Sequence, residues 1–383
     1  MVDPDSSRLH SDHTGDAVPS GAVGLSVGWH PLNSGGETNV PPGTRPFAKW
    51  VRHGSIRIQD PEIAARLDRY LSERFRYRSR TQWVGIIEAG RIVVNGRTVR
   101  PSQRLRFGDQ IEYRPTERKP EPEVDLSIGT LHEDESLLAV DKPANLPVHP
   151  SGRYFRNTLL SELLVRRGET LDQPGIRIVH RLDRETSGVV LFGKDRASTA
   201  ALARQFERRQ VDKQYLVVVH GVPSQATWEV DAPLGRATDS RVRKAVGVVA
   251  EDAGVSARTG FELVAHGPSH ALLRARPFTG RLHQIRVHAR HAGFPVVGDK
   301  LYGLDEEFFL KLVEGRDLDA TDQSRLVLDR QGLHAHRLSV KHPATRRPIQ
   351  FTAPFPATLR RGCASLGIAL PADLDDPAAD VDR

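Results

Sequence analysis

An aspartate between two arginines stands at the head of an apolar run, where His180-Arg181-Leu182-Asp183-Arg184-Glu185-Thr186-Ser187-Gly188 leads into Val189 to Phe192. The Ser-Gly pair marks a turn and the apolar run a buried strand, so Asp183 falls at the mouth of a sheet. Guanidinium neighbours favour the ionised form of an acid. An ionised carboxylate can act as nucleophile or base toward a sugar. The same string also reads as a surface ion-pair cluster, and spacing alone leaves both readings open.

A second polar concentration is Phe278-Thr279-Gly280-Arg281-Leu282-His283-Gln284-Ile285-Arg286-Val287-His288. As a strand it points Arg286 away from the apolar side, whereas as a helix it puts His283 and Arg286 on one face. His283, His288 and His291 lack a carboxylate or cysteine at ligand spacing and have basic neighbours, which disfavours a metal. Tyr215 opens the apolar run to Val219 and is either a cleft residue or an ordinary core tyrosine. Asp141-Lys142-Pro143 to Gly152 reads as a strand end followed by a proline-stiffened loop. Neither G-x-x-x-x-G-K-[ST] nor G-x-G-x-x-G occurs, so no nucleotide cofactor is expected. Side chains must act on the substrate itself.

Several elements must position these residues. Strands are expected at Leu137 to Asp141, Val189 to Phe192, Gln214 to His220, Gly260 to Val264 and Ala271 to Arg276, with a helix at Ala197 to Arg209. Strands outnumber helices without a regular βαβ rhythm, which predicts an α+β fold with a mixed, mainly antiparallel sheet. Ahead of it, Ile56 to Arg114 reads as a small unit: helices at Pro61 to Arg74 and Arg80 to Glu88, a hairpin around Asn95-Gly96, and a strand at Gln110 to Tyr113. The expected boundaries are a disordered leader over 1–50, the small unit over 56–114, a linker over 115–124, the large domain over 125–360 and an acidic tail over 370–383.

The chain has 383 residues and a net charge of +7, concentrated near the front. Arg66 to Arg106 contains eleven arginines against three acids, which suits a polyanion. The apolar runs are too short to span a bilayer, and Met1 to Ser20 lacks the pattern of a secretory signal. The single Cys363 excludes an intrachain disulfide. A cytoplasmic monomer is the expectation, with RNA as partner and neither membrane nor metal.

Taken together, these segments resemble the RluA-type pseudouridine synthases. HRLDRETSGVVLFGKD, KPANLPVHPSG, the K-x-Y at Lys213, TGRLHQIRVH, GDKLYG and LHAHRLSVKHPATRRPIQFTAPFP follow in the family's order, over about Asp125 to Pro356. The front unit resembles, more loosely, an S-four-type RNA-binding module. The resemblance implies isomerisation of uridine to pseudouridine in structured RNA, ribosomal or transfer, by base flipping. It makes Asp183 the catalytic aspartate and Arg181 the group that fills the stack. Tyr215 would pack on the target base and help the proton step, and Arg286 would pair with Asp183. Arg184, His283 and Gln284 are expected to touch the RNA, and Arg69, Arg80, Arg91 and Arg97 to dock phosphates. Leu282 stands where the family usually has Thr. A non-catalytic RNA-binding or ribosome-assembly protein, and a glycosylase pairing Asp183 with Glu185, are the rival readings.

Overall fold

A computed structural model describes residues 54–59, 65–75, 79–114, 121–151, 154–169, 174–242, 245–314, 316 and 318–376. The expected leader and the end of the expected tail lie outside these residues. The chain divides into two units, Met1–Pro120 and Glu121–Arg383.

In the first unit, β1 (Gly54–Arg57), α1 (Leu67–Arg74), α2 (Arg80–Glu88), β2 (Ile92–Val94), β3 (Arg97–Thr98) and β4 (Gln110–Tyr113) form two helices and an antiparallel sheet of order β1-β4-β2-β3. Ser79 and Gln82 form a reciprocal capping box that starts α2. Asn95 and Gly96 both adopt positive φ, as a tight hairpin turn of this kind requires. Leu67, Leu71, Trp83, Ile87, Ile92 and Ile111 close the core. The first helix starts later than the sequence predicts: Arg66 is extended and bridges Arg104, so the helix begins at Leu67. Residues 61–64 of that expected helix lie outside the described residues.

The second unit runs β5 (Gly129–Glu133), β6 (Leu137–Lys142), α3 (Leu159–Arg166), β7 (Arg177–Ile178), β8 (Ser187–Gly193), α4 (Arg196–Glu207), β9 (Asp212–His220), β10 (Thr227–Asp231), β11 (Leu234–Arg236) and β12 (Val246–Val248). It continues with β13 (Arg258–His266), β14 (His270–Pro277), α5 (Gln284–His291), α6 (Glu306–Glu314), α7 (Ala320–Arg325), β15 (Leu333–Lys341), β16 (Pro348–Thr352) and α8 (Ala357–Ser365). The main sheet has the order β10-β13-β14-β9-β15-β8-β6-β5, with β7 and β16 attached to β8 and β15. All its pairings are antiparallel except β15 with β8.

Both faces of the central strands are covered, which explains their unbroken apolar runs. In β8, Val190 and Phe192 pack in the cluster of α3, while Val189 and Leu191 pack with Leu202 of α4. In β9, Val217 and Val219 pack with Ile285 of α5, and Leu216 and Val218 with Leu359 of α8. Burying each such side chain stabilises the fold by roughly 1.5–3 kcal/mol. Gly188 has φ +112°, and a Cβ there would lie 2.1 Å from the Ala335 carbonyl oxygen, so only glycine lets β15 approach β8 where the Asp183 segment ends.

Residues 370–376, the start of the expected acidic tail, pack on this unit. Leu374 is buried in the α8 cluster, its carbonyl accepts from His336, and Asp375 pairs with Arg360. An apolar anchor and an ion pair outweigh the local excess of acid.

Candidate active site

Asp183 lies in the loop just before β8, and its side chain remains partly open to a cavity of about 430 Å³. That volume falls within the usual range for ligand pockets. The cavity is lined by Asp183, Tyr215, Arg286, His283, Arg181 and Lys213, among others. The guanidinium that reaches Asp183 belongs to neither sequence neighbour. Arg286 Nη1 donates to Asp183 Oδ2 at 2.7 Å. Arg184 is committed to Glu185 and to the Tyr154 hydroxyl, both at 2.9 Å, and is not part of the cavity lining. Arg181 is exposed on the cavity wall.

Arg286 sits on α5, which settles the helix-or-strand ambiguity. The helix starts at Gln284 after His283, a non-glycine residue at φ 56°. Left-handed backbone of this kind is costly and marks functional turns. Arg286 is itself held from behind, because its Nε and Nη2 donate to Asp299 Oδ2 and Oδ1 at 2.6 and 2.8 Å. Burial disfavours both charges, but each partner favours the other's charged form, so Asp299 is held below the ordinary carboxylate range and Arg286 above its own. Asp299 Oδ1 also accepts from the backbone of Leu301 and Tyr302, and Oδ2 from Gln331. The Arg286 guanidinium carbon lies 4.8 Å from the Tyr302 ring centroid. Sequence reasoning quoted GDKLYG without a role for its acid. The signal was a charged residue inside an otherwise structural Gly-Asp turn.

Tyr215 faces the same cavity from β9, and burial, followed by the field of Asp183, keeps its phenol protonated. His283 Nε2 is 3.9 Å from Asp183 Oδ2, and its Nδ1 meets the Tyr302 hydroxyl at 2.7 Å. Burial and then Arg286 push this imidazole down to about 4, so it is neutral at pH 7. Gln284 lines the cavity, but its amide is engaged within the protein. Its amide nitrogen donates to Arg258 O and Thr259 Oγ1, while its oxygen accepts from Thr279 Oγ1 and Arg281 N. These bonds tie Gln284 to the loop that precedes α5. The Asp183 Oδ1 oxygen has no hydrogen-bond partner among the described residues.

Lys142 supports the site from outside the cavity lining, a role that sequence reasoning did not give it. Wholly buried, it donates to the carbonyls of Pro143, Leu146 and Arg184, tying the proline-rich loop to the residue after Asp183. Glu185 is held by Arg184 and by Lys300 at 2.8 Å and does not line the cavity, so it cannot serve Asp183 as a paired carboxylate. Among the described residues, no group of three His, Cys, Asp or Glu could hold a metal ion. No described helix is long and apolar enough to cross a membrane.

In the first unit, Arg69 is exposed and pairs with Glu73, while Arg97 is exposed on β3. Arg91 is half-buried at the end of the turn after α2. Arg80 binds the buried Asp68 together with Arg66. Burial opposes the Asp68 charge, but these two arginines hold its carboxyl below the ordinary range. Arg80 therefore combines a structural ion pair with a place on the rim of a shallow groove that Arg66 and Arg100 also line.

Residues 136–291 match the family model described as RNA pseudouridylate synthase, and residues 65–111 match the S4 domain. The chain is 37% identical to "Ribosomal large subunit pseudouridine synthase D" of Xanthomonas campestris pv. campestris, over 81% of this chain and 91% of that protein. It is 34% identical to the protein of the same name from Pseudomonas aeruginosa, over 76% of this chain and 88% of that one. The solved structure "Human RNA Pseudouridylate Synthase Domain Containing 4" superposes with a TM-score of 0.50 at 27% identity, covering 63% of this chain and 94% of that one.

Proposed function

This chain belongs to the RNA pseudouridylate synthases and is an RNA pseudouridine synthase with an S4 domain; on that footing we propose that it isomerises uridine in ribosomal RNA with Asp183 as its catalytic residue. The observation that carries the assignment of Asp183 is its asymmetry: one carboxylate oxygen is held by Arg286, and the other has no hydrogen-bond partner among the described residues, in a residue that lines the cavity with Tyr215.

The isomerisation breaks the bond between C1′ and N1, turns the uracil, and joins C5 to C1′. The C5 proton leaves, N1 gains one, and no atom or electron is added overall. A uridine inside a helix is out of reach, so it must be extruded at a cost of a few kcal/mol. Arg181, exposed beside the cavity, is suited to replace the lost stacking. Asp183 Oδ1 meets the ribose while Arg286 holds the carboxylate in place. Tyr215 packs on the base and keeps its proton available for the transfer step. The ribosomal choice rests on the names of the relatives above, and the exposed arginines of the S4 domain suit phosphate contacts.

Carbodiimide-dependent primer-extension stops on total RNA test the proposal, in cells with the wild-type chain, with Asp183→Asn, or with neither. Stops in ribosomal RNA present only with wild type are expected. Stops confined to transfer RNA would overturn the ribosomal choice, and stops that survive Asp183→Asn would remove that residue from the chemistry.

A further inference from the structure

The cavity extends well beyond the reacting groups. Its lining continues from Tyr215 to Lys213, Arg209, Arg281 and Phe278, around the loop that links β14 to α5. Phe278 is 43% exposed and Leu282, on the same loop, is 45% exposed. These are two of seven exposed large apolar side chains among the described residues, and they fall within five positions of one another on this loop, with Phe278 in the cavity lining. A lone exposed apolar group would need no explanation, but this placement does.

The Phe278 ring is held in place. The Arg258 guanidinium carbon lies 4.4 Å from its centroid, and Arg258 is in turn paired with Glu229 at 3.3 Å. Gly260 also lies against the ring edge atoms, where a Cβ would stand 3.5 Å from Phe278 Cε2. The backbone N–H of Phe278 donates to Arg258 O at 2.9 Å, and Lys213 Nζ donates to Thr279 O at 2.9 Å. Positive charge surrounds the platform: the whole cavity lining carries five basic residues (Arg181, Arg209, Lys213, Arg281 and Arg286) against two acids, Asp183 and Glu207. A fixed aromatic ring among cations is the arrangement that receives an unstacked base and its phosphates.

The geometry points to a second nucleotide subsite, in which the base next to the flipped uridine stacks on Phe278 while Arg209, Arg281 and Lys213 take the adjoining phosphates. It rests on the reading of this chain as a pseudouridine synthase acting on ribosomal RNA. Two nucleotides would then be splayed from the substrate, one for reaction and one for recognition. Because every base has a stacking face, the subsite favours an unpaired neighbour more than it favours a particular letter.

The test uses the full chain and an unmodified transcript of large-subunit ribosomal RNA, on which the converted uridine is first mapped. A synthetic RNA hairpin carrying that uridine is then prepared intact, and with an abasic residue on its 5′ or its 3′ side. Phe278→Ala should lower kcat/KM on the intact hairpin about tenfold or more, with the loss in KM, and Phe278→Trp should retain wild-type values. One of the two abasic hairpins should cost the wild-type enzyme the same factor and cost Phe278→Ala nothing further. Thermal melting of both variants checks that the platform, and not the fold, has been altered. Equal activity of wild type and Phe278→Ala on the intact hairpin would overturn the subsite, as would abasic losses that simply add to the mutation. Absence of pseudouridine from the transcript with the wild-type enzyme is a different result, and removes the ribosomal reading together with the subsite.

Discussion

The most informative single change is at Asp299, a residue that does not line the cavity. Its carboxylate is fully buried and makes two charge-assisted bonds to Arg286, at 2.6 and 2.8 Å. It also accepts from two backbone N–H groups and from Gln331. Asp299→Asn keeps the shape but places an NH2 against a donor, wherever the amide is turned. Removing one partner of a buried ion pair costs about 3–5 kcal/mol, because the other charge is left uncompensated. Here Asp183 still faces Arg286, so the lower end, about 3 kcal/mol, is expected in urea unfolding of the full chain. The catalytic effect should be larger than this proximity suggests. Freed from Asp299, the guanidinium can rotate toward Asp183 and drag its carboxylate from the reacting position, and a shift of about 1 Å costs roughly a hundredfold in rate. Pseudouridine formation on unmodified ribosomal transcript, measured at saturating RNA, reads this as a fall in kcat with little change in KM. A folded Asp299→Asn enzyme with wild-type kcat would show that Arg286 needs no anchor, and the positioning argument would be wrong.

Three other outcomes follow from the structure. Gly188→Ala should destabilise by at least about 3 kcal/mol, from φ strain and a backbone clash with Ala335, whereas Gly96→Ala, with open space around it, should cost only about 1 kcal/mol; melting temperatures compare them. In the S4 domain, Arg97→Ala should reduce the slope of log affinity against log salt by about 0.7–0.9, while Arg80→Ala should mainly lower stability, because Asp68 loses a partner; filter binding over a salt series and urea unfolding separate the two. Acidification should destabilise the catalytic domain. Burial pushes His180 and His334 down to about 3 and His283 to about 4, from an ordinary 6.5. Depressed histidines contribute stability that is complete above pH 6.5 and lost as pH falls toward those values. Asp141, which burial pushes up to about 6, runs the opposite way and offsets part of the loss. From pH 7 to 5.5 the net loss should be on the order of 3 kcal/mol in urea titrations, and a flat profile would contradict the burial of these rings.

Local signals in the sequence led correctly to local structure. The helix over Arg80 to Glu88, the Asn95-Gly96 turn and the apolar run after Ser187 each depend on neighbouring residues, and each is found where expected. The segment at Ile285 was ambiguous because its apolar residues fit both periods; packing of Ile285 against Val217 and Val219 decided for the helix. Spacing alone did not give a partner for Asp183, since that partner comes from 103 positions away while Arg184 turns to Glu185. The family resemblance supplied the Asp183–Arg286 pair and runs through the segments that hold Asp299 and Lys142, but it gave neither of those two a role. A charge that will be buried looks no different in a string from one that will be solvated. The acidic stretch after Asp373 misled for the complementary reason: Leu374 decides its fate, and composition hid it.

The strand order has a consequence for how this enzyme comes into being. Asp183 precedes β8 and Tyr215 lies on β9, yet these strands do not touch; β15, Leu333–Lys341, is the strand between them. A ribosome making this chain delivers Tyr215 and must then add 126 further residues, 215 to 341, before the joining strand is complete. At about 5–20 residues per second that interval is roughly 6–25 s. During it the S4 domain, already synthesised, is free to fold and to meet RNA, whereas the two halves of the reacting site have no strand to hold them side by side. Affinity for RNA is thus born before catalysis, and the nascent protein passes through a period in which it can hold its substrate class without altering it.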